Sequence, residues 1–248
     1  MRQRLGCLAF LLAAMLPSSL AQTPAAPFEA AAFEASMPMA LAYALVLPEG
    51  YEADEDTRWP LVLFLHGSGE RGDDLDLVAV HGPLKEVREG RAFPFVLVAP
   101  QLPAERPRWE ARELGALVDH IEATHRIDAA RVYVTGLSMG GYATWDLVMH
   151  FPDRFAAAAP VCGGGLPFRA PAFAQTPIWA FHGALDPIVP LERSAEMARA
   201  INAMGGEVKL TVYPEASHDA WTATYADPAF YAWMLSHRRD RTSTGRSE

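Results

Sequence analysis

Gly136-Leu137-Ser138-Met139-Gly140 sets one serine between glycines in a G-x-S-x-G pattern. The apolar run Val132 to Thr135 before it reads as a buried strand, and Tyr142 to His150 after it reads as a helix. At a sharp strand-to-helix turn the serine hydroxyl is exposed at the strand end, and small flanking residues permit the turn. The chemistry this suits is nucleophilic attack on a carbonyl. A serine hydroxyl is a poor nucleophile at neutral pH. It needs a base beside it, and the base needs a partner that fixes its tautomer.

Four histidines follow Ser138. His150 ends the helix that starts at Ser138 and lies several turns away. His182 closes a strand and is placed to line the floor of a site. His237 sits beside Arg238 and Arg239, where a solvated face is expected. His218 lies in Pro214-Glu215-Ala216-Ser217-His218-Asp219-Ala220-Trp221, a loop after the last strand, and loops at strand C-terminal ends form the active edge of such sheets. His218 is therefore the candidate base. Asp186, in the loop after the strand that ends near His182, is the candidate acid; it also suits an ordinary Asp-Pro turn or a helix-cap role. Asp219 adjoins His218 too closely in sequence to turn onto its ring, and Asp153 belongs to a turn on the opposite side.

Attack on a carbonyl develops an oxyanion, which needs preorganised donors. The backbone N–H of Met139, at the helix start, is one candidate. The other is the backbone N–H of Ser68 in His66-Gly67-Ser68-Gly69, where glycines after the strand Leu61 to Leu65 let the backbone approach a substrate.

The elements that must carry these residues alternate. Strands are expected at Leu41 to Leu47, Leu61 to Leu65, Phe95 to Ala99, Val132 to Thr135, Phe155 to Val161, Ile178 to Phe181 and Val208 to Val212. Helices are expected at Pro83 to Glu89, Glu110 to His125, Tyr142 to His150, Leu191 to Met204 and Pro228 to His237. Such alternation argues for a single-domain α/β fold, a mostly parallel sheet with helices on both faces.

With 248 residues, half of them apolar, the chain can bury a sizeable core. The net charge of −9, with no basic stripe, argues against a nucleic-acid partner. Arg2 and Arg4, the apolar run Leu5 to Leu16 and the small residues Ser19-Leu20-Ala21 read as a signal peptide over 1–21, implying export after cleavage near Ala21. The apolar run is too short to span a bilayer, so no integral membrane segment is expected in the mature chain. An Ala/Pro-rich leader over 22–36, a catalytic domain over 37–238 and a loose tail over 239–248 complete the division. Loss of Cys7 with the signal leaves Cys162 alone, either a reactive thiol or buried filler. No metal-ligand spacing is visible, and neither a metal nor a cofactor is expected. Gly67-Ser68-Gly69-Glu70-Arg71-Gly72 does match the dinucleotide fingerprint G-x-G-x-x-G after a strand. Asp73, Asp74 and Asp76 crowd the pyrophosphate position, and the strand Phe95 to Ala99 ends without an acid for a ribose.

His66-Gly67-Ser68-Gly69, Gly136-Leu137-Ser138-Met139-Gly140, Asp186 and His218, in that order over about residues 38 to 237, resemble the α/β-hydrolase superfamily. Within it, His66 to Asp73, Val161-Cys162-Gly163-Gly164-Gly165 and Ser217 to Trp221 resemble secreted carboxylesterases related to feruloyl esterases, dienelactone-hydrolase-like proteins and polyhydroxybutyrate depolymerases. The resemblance implies a serine carboxylester hydrolase with Ser138 as nucleophile, His218 as base and Asp186 as its orienting acid, acting on small-molecule or polymer-attached esters. A serine peptidase of the prolyl-oligopeptidase type shares this constellation and is the alternative. The short gap Gly163 to Thr176 can hold a loop but hardly a helical lid. Trp221 could stack on substrate or pack the final helix; Phe168 and Phe173 could wall the site or pack elsewhere.

Overall fold

The computed structural model describes residues 40–239 apart from residues 54, 173 and 174. The expected signal segment over 1–21, the leader over 22–36, Phe173 and the tail from residue 240 lie outside the described residues. Among the described residues seven strands and six helices follow one another: β1 Tyr43–Val46, β2 Trp59–Leu65, α1 Gly82–Arg88, β3 Val96–Pro100, α2 Ala111–Thr124, β4 Ile127–Leu137, α3 Met139–His150, β5 Ala157–Val161, β6 Ile178–Gly183, α4 Glu192–Ala203, β7 Val208–Tyr213, α5 Trp221–Ala226 and α6 Pro228–Ser236. Short 3₁₀ turns occupy Ser68–Glu70, Leu75–Ala79 and Pro167–Ala172.

The strands form one sheet in the order β1-β3-β2-β4-β5-β6-β7, with only the β1–β3 pair antiparallel. Side chains of a strand alternate between faces, so a strand buried on both must be apolar at every position. β2 does this: Leu61, Leu63 and Leu65 enter one core with α2, α3 and α4, while Val62 and Phe64 enter a second core with α5 and α6. The edge strand β7 instead buries only Val208, exposes Lys209 and Val212 and leaves the rest half-buried. Helix α2 buries Leu114, Leu117, Val118 and Ile121, the stripe legible in its spacing. Asp227 caps α6 by accepting from the Ala229 N–H at 2.8 Å.

The expectation of a solvated face for His237 is corrected. His237 lies just past α6 and is half-buried, its ring edge-on to Trp233 at 4.8 Å; burial lowers its pKa. Arg238 and Arg239 are tied down: Arg238 pairs with Asp128 at 2.7 Å, and the Arg239 N–H donates to the Ala130 carbonyl at 2.9 Å. All parallel strands end on the same side, and β2, β4, β6 and β7 deliver to that edge the loops bearing Ser68, Ser138, Asp186 and His218.

Candidate active site

Ser138 joins β4 directly to α3 with φ 52° and ψ −114°. A non-glycine residue held at positive φ stores on the order of 1–3 kcal/mol, which the surroundings must impose. They do so through the Ser138 N–H, which donates to the Val161 carbonyl at 2.9 Å, and the Ser138 carbonyl, which accepts from the Tyr142 N–H at 3.0 Å. The tight crossing requires glycine at 140, because a methyl group there would lie 2.0 Å from the Leu65 carbonyl oxygen.

The Ser138 hydroxyl faces Nε2 of His218 at 2.9 Å, and Nδ1 of His218 faces Oδ2 of Asp186 at 2.7 Å. The other oxygen of Asp186 accepts from the backbone N–H groups of Ile188 and Val189, each at 2.9 Å. Asp186 thus orients a ring and caps its own loop at once. Burial alone would raise its pKa, but hydrogen bonds from His218, Val189 and Ile188 outweigh that and hold the carboxyl below its usual range. An ionised Asp186 can only accept, so Nδ1 of His218 carries the proton and Nε2 is free to accept from Ser138.

The loop before Ser68 is held from behind by His66. Its Nδ1–H donates to the Gly67 carbonyl at 2.6 Å, and its Nε2 accepts from the Leu102 N–H at 3.0 Å. Burial, opposed by the Gly67 bond and aided by the Arg71 charge, lowers the His66 pKa to about 4. A neutral His66 is the form that both bonds need. Gly67 lies against the elbow, where an added methyl would sit 3.6 Å from Cβ of Ser138. The next residue, Ser68, opens a 3₁₀ turn, and Met139 opens α3; first-turn N–H groups have no partner within their helix. Ser68, Ser138 and Met139 border one cavity of about 840 Å³, walled further by Trp109, Tyr142 and Leu166.

Other candidates fall elsewhere. Trp221 does not border that cavity. It opens α5, a helix the sequence reading missed, and its ring stands edge-on to His218 at 5.1 Å. Phe168 is exposed on its 3₁₀ turn, and Leu166 is the wall in its place. His182 is fully buried behind Asp186 rather than lining an open floor; its ring bonds to Ser194 at 2.7 Å and to the Val189 carbonyl at 2.8 Å. Asp219 turns away and accepts from the N–H and hydroxyl of Thr222.

Cys162 is buried, at φ 47°, and its thiol donates to the His218 carbonyl at 3.1 Å. Burial pushes its pKa up to about 12, so it is filler that props the histidine loop and not a reactive thiol. Cys162, His182 and Asp186 bring ligand-type atoms within 4.8 Å of one another. A metal would need a thiolate there, and the Asp186 oxygens are already committed to His218 and two N–H groups. Gly67 to Gly72 folds into a three-residue 3₁₀ turn, with no α-helix beginning until Gly82. The helix N-terminus that a dinucleotide fingerprint needs is not built there.

Known proteins agree with this architecture. A poly(3-hydroxyalkanoate) depolymerase C of Paucimonas lemoignei is 48% identical over 59 residues, which cover 24% of this chain and 14% of that protein. A bifunctional acetylxylan esterase/xylanase of Neocallimastix patriciarum is 27% identical over 136 residues, covering 52% of this chain and 20% of that protein. This chain therefore spans only a small part of either relative's length. A solved structure described as a thermostable esterase superposes with a TM-score of 0.67 at 33% identity, over 80% of this chain and 60% of that one. The stretch that carries Ser138, Asp186 and His218 lies wholly within residues 100–233, which match the family model described as the Dienelactone hydrolase family, and the chain belongs to that family.

Proposed function

We propose that the chain is a serine carboxylester hydrolase that works through an acyl-enzyme, with Ser138 as nucleophile, His218 as general base and acid, and Asp186 as the group that orients His218. The observation that carries this is the unbroken relay from the Ser138 hydroxyl to Nε2 of His218 at 2.9 Å and from Nδ1 to Asp186 at 2.7 Å, opening on a cavity of about 840 Å³. Ser138 attacks the ester carbonyl while its proton passes to Nε2. Asp186, kept ionised by its hydrogen bonds, stabilises the imidazolium that forms. The N–H groups of Met139 and Ser68 receive the oxyanion. The C–O bond to the alcohol breaks as Nε2 returns the proton to the leaving oxygen. Water, deprotonated by His218, then attacks the acyl-enzyme and frees the acid and Ser138.

We propose short-chain or polymer-attached acyl esters as substrates; two relatives bear names that state a polyhydroxyalkanoate and an acetylxylan. Export, read from residues 1–21, belongs to the same proposal. The test is hydrolysis of acetyl to octanoyl 4-nitrophenyl esters beside the matching anilides. Ser138→Ala is expected to cost on the order of 10⁶ in kcat and to abolish labelling by a fluorophosphonate. Faster cleavage of the anilides, or a Ser138→Ala chain that keeps its activity, refutes the reading.

A further inference from the structure

One buried histidine takes no part in the mechanism above. His182 lies near the end of β6 with its side chain fully enclosed behind Asp186. Its Nε2 is 2.8 Å from the Val189 carbonyl and 3.4 Å from Oδ2 of Asp186. A carbonyl and an ionised carboxylate can only accept, so Nε2 carries a proton. On the other side of the ring, the Ser194 hydroxyl sits 2.7 Å from Nδ1 and 2.9 Å from the Gly163 carbonyl. Its one proton is shared between those two acceptors. Ser194 is as fully buried as His182. A buried polar network with every member bonded is rigid and fixes one arrangement.

This chain of bonds has two ends, and each meets the relay from inside the fold. At one end, the Val189 carbonyl accepts from His182 while the Val189 N–H donates to Oδ1 of Asp186 at 2.9 Å. Oδ2 of Asp186, which faces Nδ1 of His218 at 2.7 Å, meets the same Nε2–H of His182. At the other end, Gly163 lies against the first turn of α3. A methyl on Gly163 would sit 2.4 Å from the Gly141 carbonyl carbon. That turn begins at Met139, the residue after the nucleophile. His218 spans Ser138 and Asp186 at the open edge of the sheet. Ser194 and His182 span the same two supports within the core.

We propose that His182 is a positioning residue for the reaction and that Ser194 holds it in place. One imidazole can bridge Ser138 to Asp186 only at one separation, because both contacts of His218 must stay at hydrogen-bond length. The brace through Ser194 and His182 sets that separation. Its Nε2–H also keeps Oδ2 of Asp186 turned toward Nδ1 of His218. Neither His182 nor Ser194 borders the cavity at Ser138, so neither touches the substrate. Their loss therefore slows the chemical step and leaves binding alone. Misplacing a catalytic group by ~1 Å costs about 10²-fold in rate.

This inference rests on the serine esterase reading, and the experiment separates the two. An amide at 182 divides the two roles of the ring. Glutamine is long enough to return an N–H to the position of Nε2, whereas asparagine reaches only the position of Nδ1. His182→Gln is expected to keep kcat for 4-nitrophenyl butyrate within about fivefold of wild type, and His182→Asn to lose about 10²-fold, with KM within about twofold in both. The low-field NMR proton on Nδ1 of His218 should persist in His182→Gln and shift or vanish in His182→Asn. Circular dichroism establishes folding. Ser194→Ala is a smaller change, expected to lower kcat by about tenfold, and it decides the matter if neither amide variant folds. Wild-type kcat in His182→Asn or in Ser194→Ala overturns the positioning role and leaves the esterase reading standing. Equal losses in the two amide variants, with the His218 proton unmoved, do the same. A wild-type chain that hydrolyses no 4-nitrophenyl ester overturns both.

Discussion

Asp186→Asn tests the relay, because the structure dictates how the amide must sit. Oδ1 of Asp186 accepts from the N–H groups of Ile188 and Val189 at 2.9 Å each, while Oδ2 faces Nδ1 of His218 at 2.7 Å. An asparagine keeps the two backbone bonds only if its carbonyl oxygen takes the first position. Its NH₂ group then points at Nδ1. Two donors cannot face each other, so His218 switches tautomer and moves its proton to Nε2. Nε2 now presents a hydrogen to the Ser138 hydroxyl, 2.9 Å away, and cannot accept its proton. The loss of the correct tautomer is expected to lower kcat by ~10⁴, or about 5.4 kcal/mol of barrier. The assay is steady-state hydrolysis of 4-nitrophenyl butyrate, with circular dichroism to establish folding and ring ¹⁵N shifts of His218 to report the tautomer. KM should move little, since the carboxylate is buried behind the ring. A folded variant within tenfold of wild-type kcat refutes the reasoning, because the ring would then find its working tautomer without Asp186.

The thiol of Cys162 should resist iodoacetamide at pH 8 in the native chain and react only in urea, since burial raises its pKa to about 12; rapid native labelling refutes this. His66 predicts an acid-side loss of stability. Its folded pKa of about 4 lies below the ordinary 6.5, so the folded chain binds fewer protons than the unfolded one between those values. Its contribution is complete above pH 6.5 and is lost as pH falls toward 4, by about 3 kcal/mol. Urea unfolding across that range should show a shallower pH dependence in His66→Gln than in the wild type, and parallel curves would exclude the effect. Asp186 acts in a lower window: its depressed pKa lends stability that is present above the ordinary carboxylate range and is lost as pH falls through the folded value. Asp186→Asn should therefore flatten the acid limb below pH 4, and an unchanged limb refutes it.

What the sequence discloses is what local pattern can carry. Continuous apolar runs such as Leu61 to Leu65 announce a strand buried on both faces, and the structure sends Leu63 and Phe64 to opposite cores. The G-x-S-x-G pattern announces the turn at Ser138, because only glycine lets the backbone at 140 pass so near Leu65. Chain order then narrows the partners to Asp186 and His218, since loops after successive parallel strands must meet at one edge. Roles made by distant partners are not written locally. His66 reads as a residue that ends a strand; its hold on the loop depends on Leu102 and Trp109, which no spacing relates to it. Helix α5 escapes because six residues, two of them threonine, are too short for periodicity to register. Trp221 reads from the sequence as a residue that either stacks on substrate or packs the final helix, because its position three residues after His218 suits both. Its place at the head of α5, edge-on to His218 and next to His81, is fixed by where β7 ends and α5 begins, and that junction is a property of the fold and not of the residue.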